Sequence, residues 1–220
     1  GFRRKLVVTE SVFSMDGDKA PLKELAILCE RHGALLMVDE AHATGLFGSH
    51  GQGLAQEAGL APDIQMGTLG KAVGVCGAYV AGSRALVELL VNMARSLIYT
   101  TALSPALIGA ALAALKIISA EEGQLRRARL RENTETFYDL LPEELRPPAG
   151  SSHIVPVCIG DSARTMKISE ECLRKGIFAH GIRYPTVPEG TARLRFTLMS
   201  DHTTEDLQKA VEVLRSGLKS

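Results

Sequence analysis

The chain contains no tryptophan, and phenylalanine and tyrosine together make up 5% of its 220 residues. A surface that stacks nucleobases needs aromatic side chains, so this scarcity argues against single-stranded nucleic-acid binding. Net charge is missing too: 25 basic residues balance 25 acidic ones. No global field draws the chain to nucleic acid or to an anionic membrane. The four cysteines, Cys29, Cys76, Cys158 and Cys172, form no CxxC pair and no zinc spacing, and the six histidines are scattered. A metal site is therefore not expected, and the cysteines read as buried thiols in a reducing compartment. No apolar run approaches the length of a membrane span or a secretory leader.

What remains is an ordinary globular composition of a length that can bury a core. LVVTE (6–10) and ALLMVDE (34–40) are continuous apolar runs and read as buried strands. Between them, a turn around Asp16-Gly17 leads to Pro21, placed to open a helix. Leu22, Leu25, Ala26 and Cys29 then recur at helical spacing until Gly33. After an irregular glycine-rich stretch, IQMGT (64–68) and GAYVAG (77–82) read as two more strands. Strand–helix–strand units of this kind predict a mostly parallel sheet covered on both faces, with functional residues at the strands' carboxyl ends.

Ser83 is placed to cap a helix, and residues 104–142 predict two more. PPAGSS (147–152) is a boundary signal. HIVPVCIG (153–160) predicts a strand made an edge by Pro156, and 162–175 a helix. IFAHGIR (177–183) and ARLRFTL (192–198) predict strands, with Arg193 and Arg195 on the outer face, and HTTEDLQ (202–208) starts a terminal helix. The expected organisation is a partial large α/β domain over 1–126 and a small α+β domain over 127–220. The first strand follows Gly1 within a few residues, which suggests that an N-terminal portion has been lost.

Two motifs at strand ends carry the chemistry. VDEAH (38–42) puts Asp39, Glu40 and His42 at the end of an apolar strand, where the bland reading is a solvated strand end. A helicase-type DEAH reading needs a phosphate loop GxxxxGK[ST]. Gln65 stands where its first glycine belongs and Ala72 where its hydroxyl residue belongs, so that reading fails. TLGKAVG (68–74) sets a single lysine, Lys71, among small residues at a tight turn. A lysine amine becomes nucleophilic when burial or neighbouring charge lowers its pKa. Gly70, Ala72 and Gly74 let a flat ring approach the backbone. Pyridoxal 5′-phosphate (PLP) needs a lysine for its Schiff base and an acid against its pyridine nitrogen. Lys71 and Asp39, one strand apart, supply that pair. In IRYPTVPEG (182–190) two prolines stiffen a loop beside Arg183, a residue type suited to gripping a carboxylate with two parallel hydrogen bonds.

TESVFSMDGD (9–18), MVDEAHATGLFG (37–48), TLGKAVGVCGAYVAG (68–82), IYTTALSP (98–105) and IRYPTVPEGTARLRFTLMSDH (182–202) together resemble the α-oxoamine synthases, a family of fold-type I PLP enzymes. The resemblance runs over essentially the whole chain. It implies that Lys71 forms the Schiff base and moves the amino acid's Cα proton. It gives Asp39 the pyridine nitrogen, His42 the ring's phenolic oxygen and Thr68 the phosphate. Ser14 becomes a cofactor contact, Thr100 and Thr101 reach the phosphate across a homodimer interface, Arg183 holds the substrate carboxylate, and Thr186 lies near the acyl substrate. The implied activity is a PLP-dependent acyl transfer in the cytoplasm, the decarboxylative condensation of an amino acid with an acyl thioester. The proline loop is nearest to the biotin-pathway branch, which joins L-alanine to a pimeloyl thioester. Of the glycine-using branches, the glycine acetyltransferases resemble it less and the 5-aminolevulinate synthases carry a similar loop, and a non-catalytic scaffold is the reading from another class. Family members carry a further N-terminal region that completes the sheet and walls the cofactor pocket, so the resemblance implies that these 220 residues are inactive alone.

Overall fold

The computed structural model describes residues 2–147 and 152–219, so most of the expected boundary at 147–152 lies outside the described residues. The chain forms two units. One contains the residues up to Val12 together with Ala20–Leu125; the other contains Phe13–Lys19 together with the residues from Arg126 on.

The first unit is built on a four-stranded sheet of β1 (Leu6–Glu10), β2 (Leu35–Asp39), β3 (Ile64–Thr68) and β4 (Ala78–Gly82), in that order. The first three run parallel and β4 returns antiparallel to β3. Helix α1 (Leu22–His32) makes the crossover from β1 to β2. Pro21 stands at its N-cap, and Gly33 closes it at φ 56°, a left-handed conformation that costs glycine nothing. The predicted irregular stretch contains a single turn of helix, α2 (Leu54–Glu57).

Side chains alternate across a sheet, and the register sorts these strands into two unequal faces. Leu36, Val38 and Gly67 share one face and are buried, with Leu22 and Cys29 of α1 also in the core. Leu6, Val8, Leu35 and Val80 share the other face with Asp39, Met66 and Thr68, and they remain 51, 59, 47 and 46% exposed. The expectation of cover on both faces is therefore corrected: among the described residues one face is covered and the face carrying Asp39 is open. Apolar runs register a strand's appetite for burial, not what covers it.

Beyond β4 come α3 (Arg84–Met93), α4 (Arg95–Ile98), which the sequence did not predict, and α5 (Pro105–Ser119). Ser83 and Ser104 cap α3 and α5 through their hydroxyls. Helix α5 reads PALIGAALAALKIIS, yet Ala111 is its one buried residue, and α3 has none. Helix α6 (Glu121–Leu140) follows and carries Arg127, Leu130 and Phe137 inward on one stripe.

The second unit pairs β5 (Ile154–Gly160), β7 (Ala192–Thr197) and β6 (His180–Ile182) antiparallel in the order β5-β7-β6. Pro156 is indeed on an edge strand. The predicted strand over 177–183 shrinks to three residues, those that reach β7. Helices α7 (Ser162–Arg174) and α8 (Thr204–Lys219) pack on each other and α7 on the strands. The core holds Val155, Val157, Ile168, Leu194 and Leu214, with the rings of Phe137 and Phe196 5.1 Å apart.

The 13–19 turn joins this unit at the start of β5. A β-carbon on Gly17 would stand 2.2 Å from the Ile154 carbonyl oxygen, and Ser152 N donates to Gly17 O at 2.9 Å. The same turn corrects the outward placement of Arg193. Its side chain is 12% exposed and ion-paired with Asp16, and burial lowers the guanidinium pKa from its ordinary value. Arg195 is also half-buried and shifted downward by burial.

Two cysteines depart from expectation as well. Cys29 and Cys172 are buried, whereas Cys76 and Cys158 are exposed. Among the described residues no helix is long and apolar enough to cross a membrane.

Candidate functional site

At the carboxyl ends of the paired strands β2 and β3, Glu40 N donates to Met66 O at 2.8 Å. Asp39, the last residue of β2, projects onto the open face of the sheet with Met66 and Thr68. Its Oδ1 accepts from Ala41 N at 2.7 Å, a short turn that fixes the carboxylate's direction. Among the described residues Oδ2 takes no hydrogen bond.

Glu40 points the other way and is fully buried. Its Oε2 accepts from Ser11 Oγ at 2.6 Å and Leu54 N at 3.1 Å, and its Oε1 from Ala55 N at 2.7 Å. The solvated-strand-end reading of Glu40 is thereby overturned: three donors replace the water it has lost. Sequence reasoning missed it because two of those donors are backbone groups. The available signal was an acid wedged between an apolar strand and the small residues of AHATG.

The loop after Asp39 is pinned again further on. Ala43 N and Thr44 N both donate to Glu40 O, at 2.9 and 2.7 Å, and the Thr44 and Tyr79 hydroxyls are 3.0 Å apart. Tyr79 reaches Thr44 by lying over Gly67, its partner across the β3–β4 pair. A β-carbon on Gly67 would be 2.5 Å from the Tyr79 oxygen. His42 sits half-buried within this loop.

Lys71 occupies the 69–77 connection between β3 and β4. Leu69 N to Gly77 O (2.9 Å), Val75 N to Leu69 O (2.8 Å) and Gly74 N to Lys71 O (3.0 Å) close the turn. Val73 anchors it by burial, while Lys71 is exposed. The Thr68 hydroxyl donates to Gly77 O and accepts from Gly70 N, both at 3.2 Å. In this arrangement Thr68 shapes the lysine turn, and holding a phosphate oxygen would require its proton to leave Gly77.

The loop and the turn touch. A β-carbon on Gly45, at φ +85°, would stand 2.9 Å from the Ala72 β-carbon. The structure thus brings together the Asp39–His42 segment and the lysine turn, with Thr68 at its base. Thr100 and Thr101 lie in the exposed segment between α4 and α5, near Leu103, which approaches Gly77.

The other predicted residues belong to the second unit. Ser14 is half-buried in the 13–19 turn. Arg183 is exposed at the end of β6, where it lines a shallow depression with Tyr184, Glu189 and the start of α7, and its Nη1 lies 3.1 Å from Met166 Sδ. Thr186 follows the cis Tyr184–Pro185 bond in a turn closed by Thr186 N to Arg183 O at 3.0 Å.

A flat phosphorylated pyridine anchored through a lysine fits the first unit's residues. At the carboxyl end of that unit's sheet stand the exposed Lys71 amine, the half-buried His42 imidazole and an Asp39 carboxylate oxygen that takes no hydrogen bond among the described residues. A β-carbon on Gly74 would meet nothing within 4 Å, so the turn leaves open space beside it.

Comparison with known proteins agrees. The chain is 30% identical to a lysine-to-alanine variant of the serine palmitoyltransferase of S. paucimobilis in a structure with a bound PLP–myriocin aldimine, with a TM-score of 0.91 over 97% of this chain and 55% of that one. It is 31% identical to the 8-amino-7-oxononanoate synthase of Francisella tularensis, with a TM-score of 0.84 over 98% of this chain and 63% of that one. The fold is accordingly that of the fold-type I PLP transferases. The aminotransferase class I and II family model matches residues 1–214, and the chain belongs to that family. Curated relatives include the 8-amino-7-oxononanoate synthases of Geobacter sulfurreducens, 49% identical over 217 residues, and of Cupriavidus pinatubonensis, 48% identical over 223 residues. The alignments cover 97% of this chain but 56% and 54% of those proteins, so the chain spans about half the length of the curated relatives it matches.

Proposed function

We propose that the protein is a PLP-dependent C-acyltransferase of the biotin pathway, condensing L-alanine with a pimeloyl thioester, with loss of CO2, to 8-amino-7-oxononanoate. The observation that carries this reading is the approach of Gly45 to Ala72, which joins the Asp39–His42 loop to the Lys71 turn. The identity of 49% to a synthase of that name supports the choice of reaction.

Bound PLP supplies an electron sink for negative charge that develops at the amino acid's Cα. Asp39, its Oδ1 held by Ala41 N, presents a carboxylate that keeps a proton on the pyridine nitrogen. Lys71 Nζ is the covalent anchor and the base that takes the Cα proton. His42 hydrogen-bonds at the phenolic oxygen. Thr68, Thr100 and Thr101 serve the phosphate, and Ser14 is a further cofactor contact. Arg183 grips the amino acid's carboxylate, and Thr186 borders the acyl group.

The reading includes a cytoplasmic homodimer. The flank of α3 to α5, with Val91, Met93, Leu97 and Leu112 exposed, supports a second copy, because an exposed apolar patch marks a surface that another protein surface covers.

The test is deuterium wash-in at Cα by the intact protein supplied with PLP and no thioester. L-alanine exchanges its Cα proton, and a pimeloyl thioester then yields the amino ketone. Exchange with glycine but not with L-alanine would assign the glycine-using branch instead, and exchange with neither would leave the scaffold reading.

A further inference from the structure

We propose that Glu40 is a positioning residue, whose buried carboxylate sets the direction in which Asp39 and His42 leave the end of β2. The proposal rests on the reading of Lys71 and Asp39 as a cofactor grip. A carboxylate taken wholly out of water is costly, and an apolar residue would fill the same volume more cheaply. Here the acid does something an apolar residue cannot: it ties three segments together. Ser11, just past β1, donates its hydroxyl to Glu40 at 2.6 Å and its backbone N–H to Asp39 O at 2.8 Å. Leu54 and Ala55, at the start of α2, supply the other two donors.

Asp39 and Glu40 are adjacent in sequence and point to opposite sides of the sheet. Clamping the Glu40 side chain therefore fixes the rotation of the backbone that carries Asp39. The Glu40 carbonyl, through Ala43 and Thr44, fixes the turn that carries His42. Gly53 shows how closely the clamp is fitted. It sits at φ +114°, and a β-carbon there would be 2.6 Å from the Glu40 carboxyl carbon.

The experiment uses the intact protein and three readouts: the PLP dissociation constant, the pH midpoint of the bound cofactor's visible band, and the unfolding midpoint without cofactor. Asp39→Asn supplies the reference shift in the band midpoint. Glu40→Gln sets an amide against backbone donors, and Gly53→Ala pushes on the carboxylate from outside. Both variants are expected to weaken PLP binding by about tenfold or more, the factor that a loss of about 1.4 kcal/mol of binding free energy carries. Both should move the band midpoint in the same direction as Asp39→Asn. Ser11→Ala keeps the two backbone donors, so it folds even if the others do not, and it should show a smaller shift of the same sign. Variants that lose stability while keeping the wild-type PLP constant and band midpoint would overturn the proposal, and that result in Ser11→Ala alone is enough to do so. A wild type that binds no PLP would overturn the cofactor reading itself, a failure visible before any variant is made.

Discussion

Gly45 lies so close to Ala72 that a β-carbon on the glycine would stand 2.9 Å from the alanine's own. Through this approach a strand end carrying an acid and a histidine shares one edge with a turn carrying a lysine. Gly45→Ala adds an atom at that point and forces a side chain into φ +85°. The expected cost is about 1–3 kcal/mol of stability, with PLP binding weaker by about tenfold, the equivalent of about 1.4 kcal/mol, as the loop and turn separate. Denaturant unfolding and PLP titration measure the two effects.

Gly67 and Tyr79 form a second close fit. A β-carbon on Gly67 would lie 2.5–2.7 Å from the Tyr79 oxygen and ring carbons. Gly67→Ala is expected to destabilise by about 1–3 kcal/mol and to release Thr44 from its hydroxyl partner. With Tyr79→Ala already in place the same substitution should cost less, because the obstructing ring is gone. A double-mutant cycle in urea reads that coupling, and additive costs would count against the stacked arrangement.

The start of α8 carries a pH-dependent cap. Asp206 Oδ2 accepts from Thr203 N at 2.9 Å and from Thr203 Oγ1 at 3.0 Å, and Asp206 N donates to Thr203 Oγ1 at 3.2 Å. These bonds hold the Asp206 pKa below its ordinary value of 3.8. A depressed carboxylate pKa means that the folded state binds the proton less readily than the unfolded one. The stabilisation is therefore present above the ordinary value and is lost as pH falls through the lowered one. Asp206→Asn should lower the melting temperature near neutrality, and the difference from wild type should shrink in strong acid. A constant difference across pH would contradict it.

The exposed apolar flank of α3 to α5 makes a further prediction for the dimer. Leu112→Lys, on a helix where Ala111 is the one buried residue, should shift the intact protein toward monomer in sedimentation velocity. An unchanged dimer would place the interface elsewhere.

The parts of this structure that were legible in the sequence are those fixed by local pattern. The apolar runs ending in Asp39 and Thr68 gave two adjacent strand ends, and Pro21 and Gly33 bracketed α1. Pro156 marked β5 as an edge because proline has no N–H to give a neighbour. The features that stayed hidden depend on distant partners. Nothing near Glu40 in the chain announces that Ser11, Leu54 and Ala55 satisfy it. Alternation put Arg193 outward, but the 13–19 turn brings Asp16 over it. Leu6 and Val8 read as core, yet the face they share with Asp39 is open among the described residues.

Borohydride reduction of the intact, PLP-loaded protein, followed by peptide mapping, tests the central claim most directly. The account predicts a single fluorescent pyridoxyl peptide containing Lys71, lost in Lys71→Ala. A label on any other lysine, or bound PLP that borohydride does not fix, would contradict it.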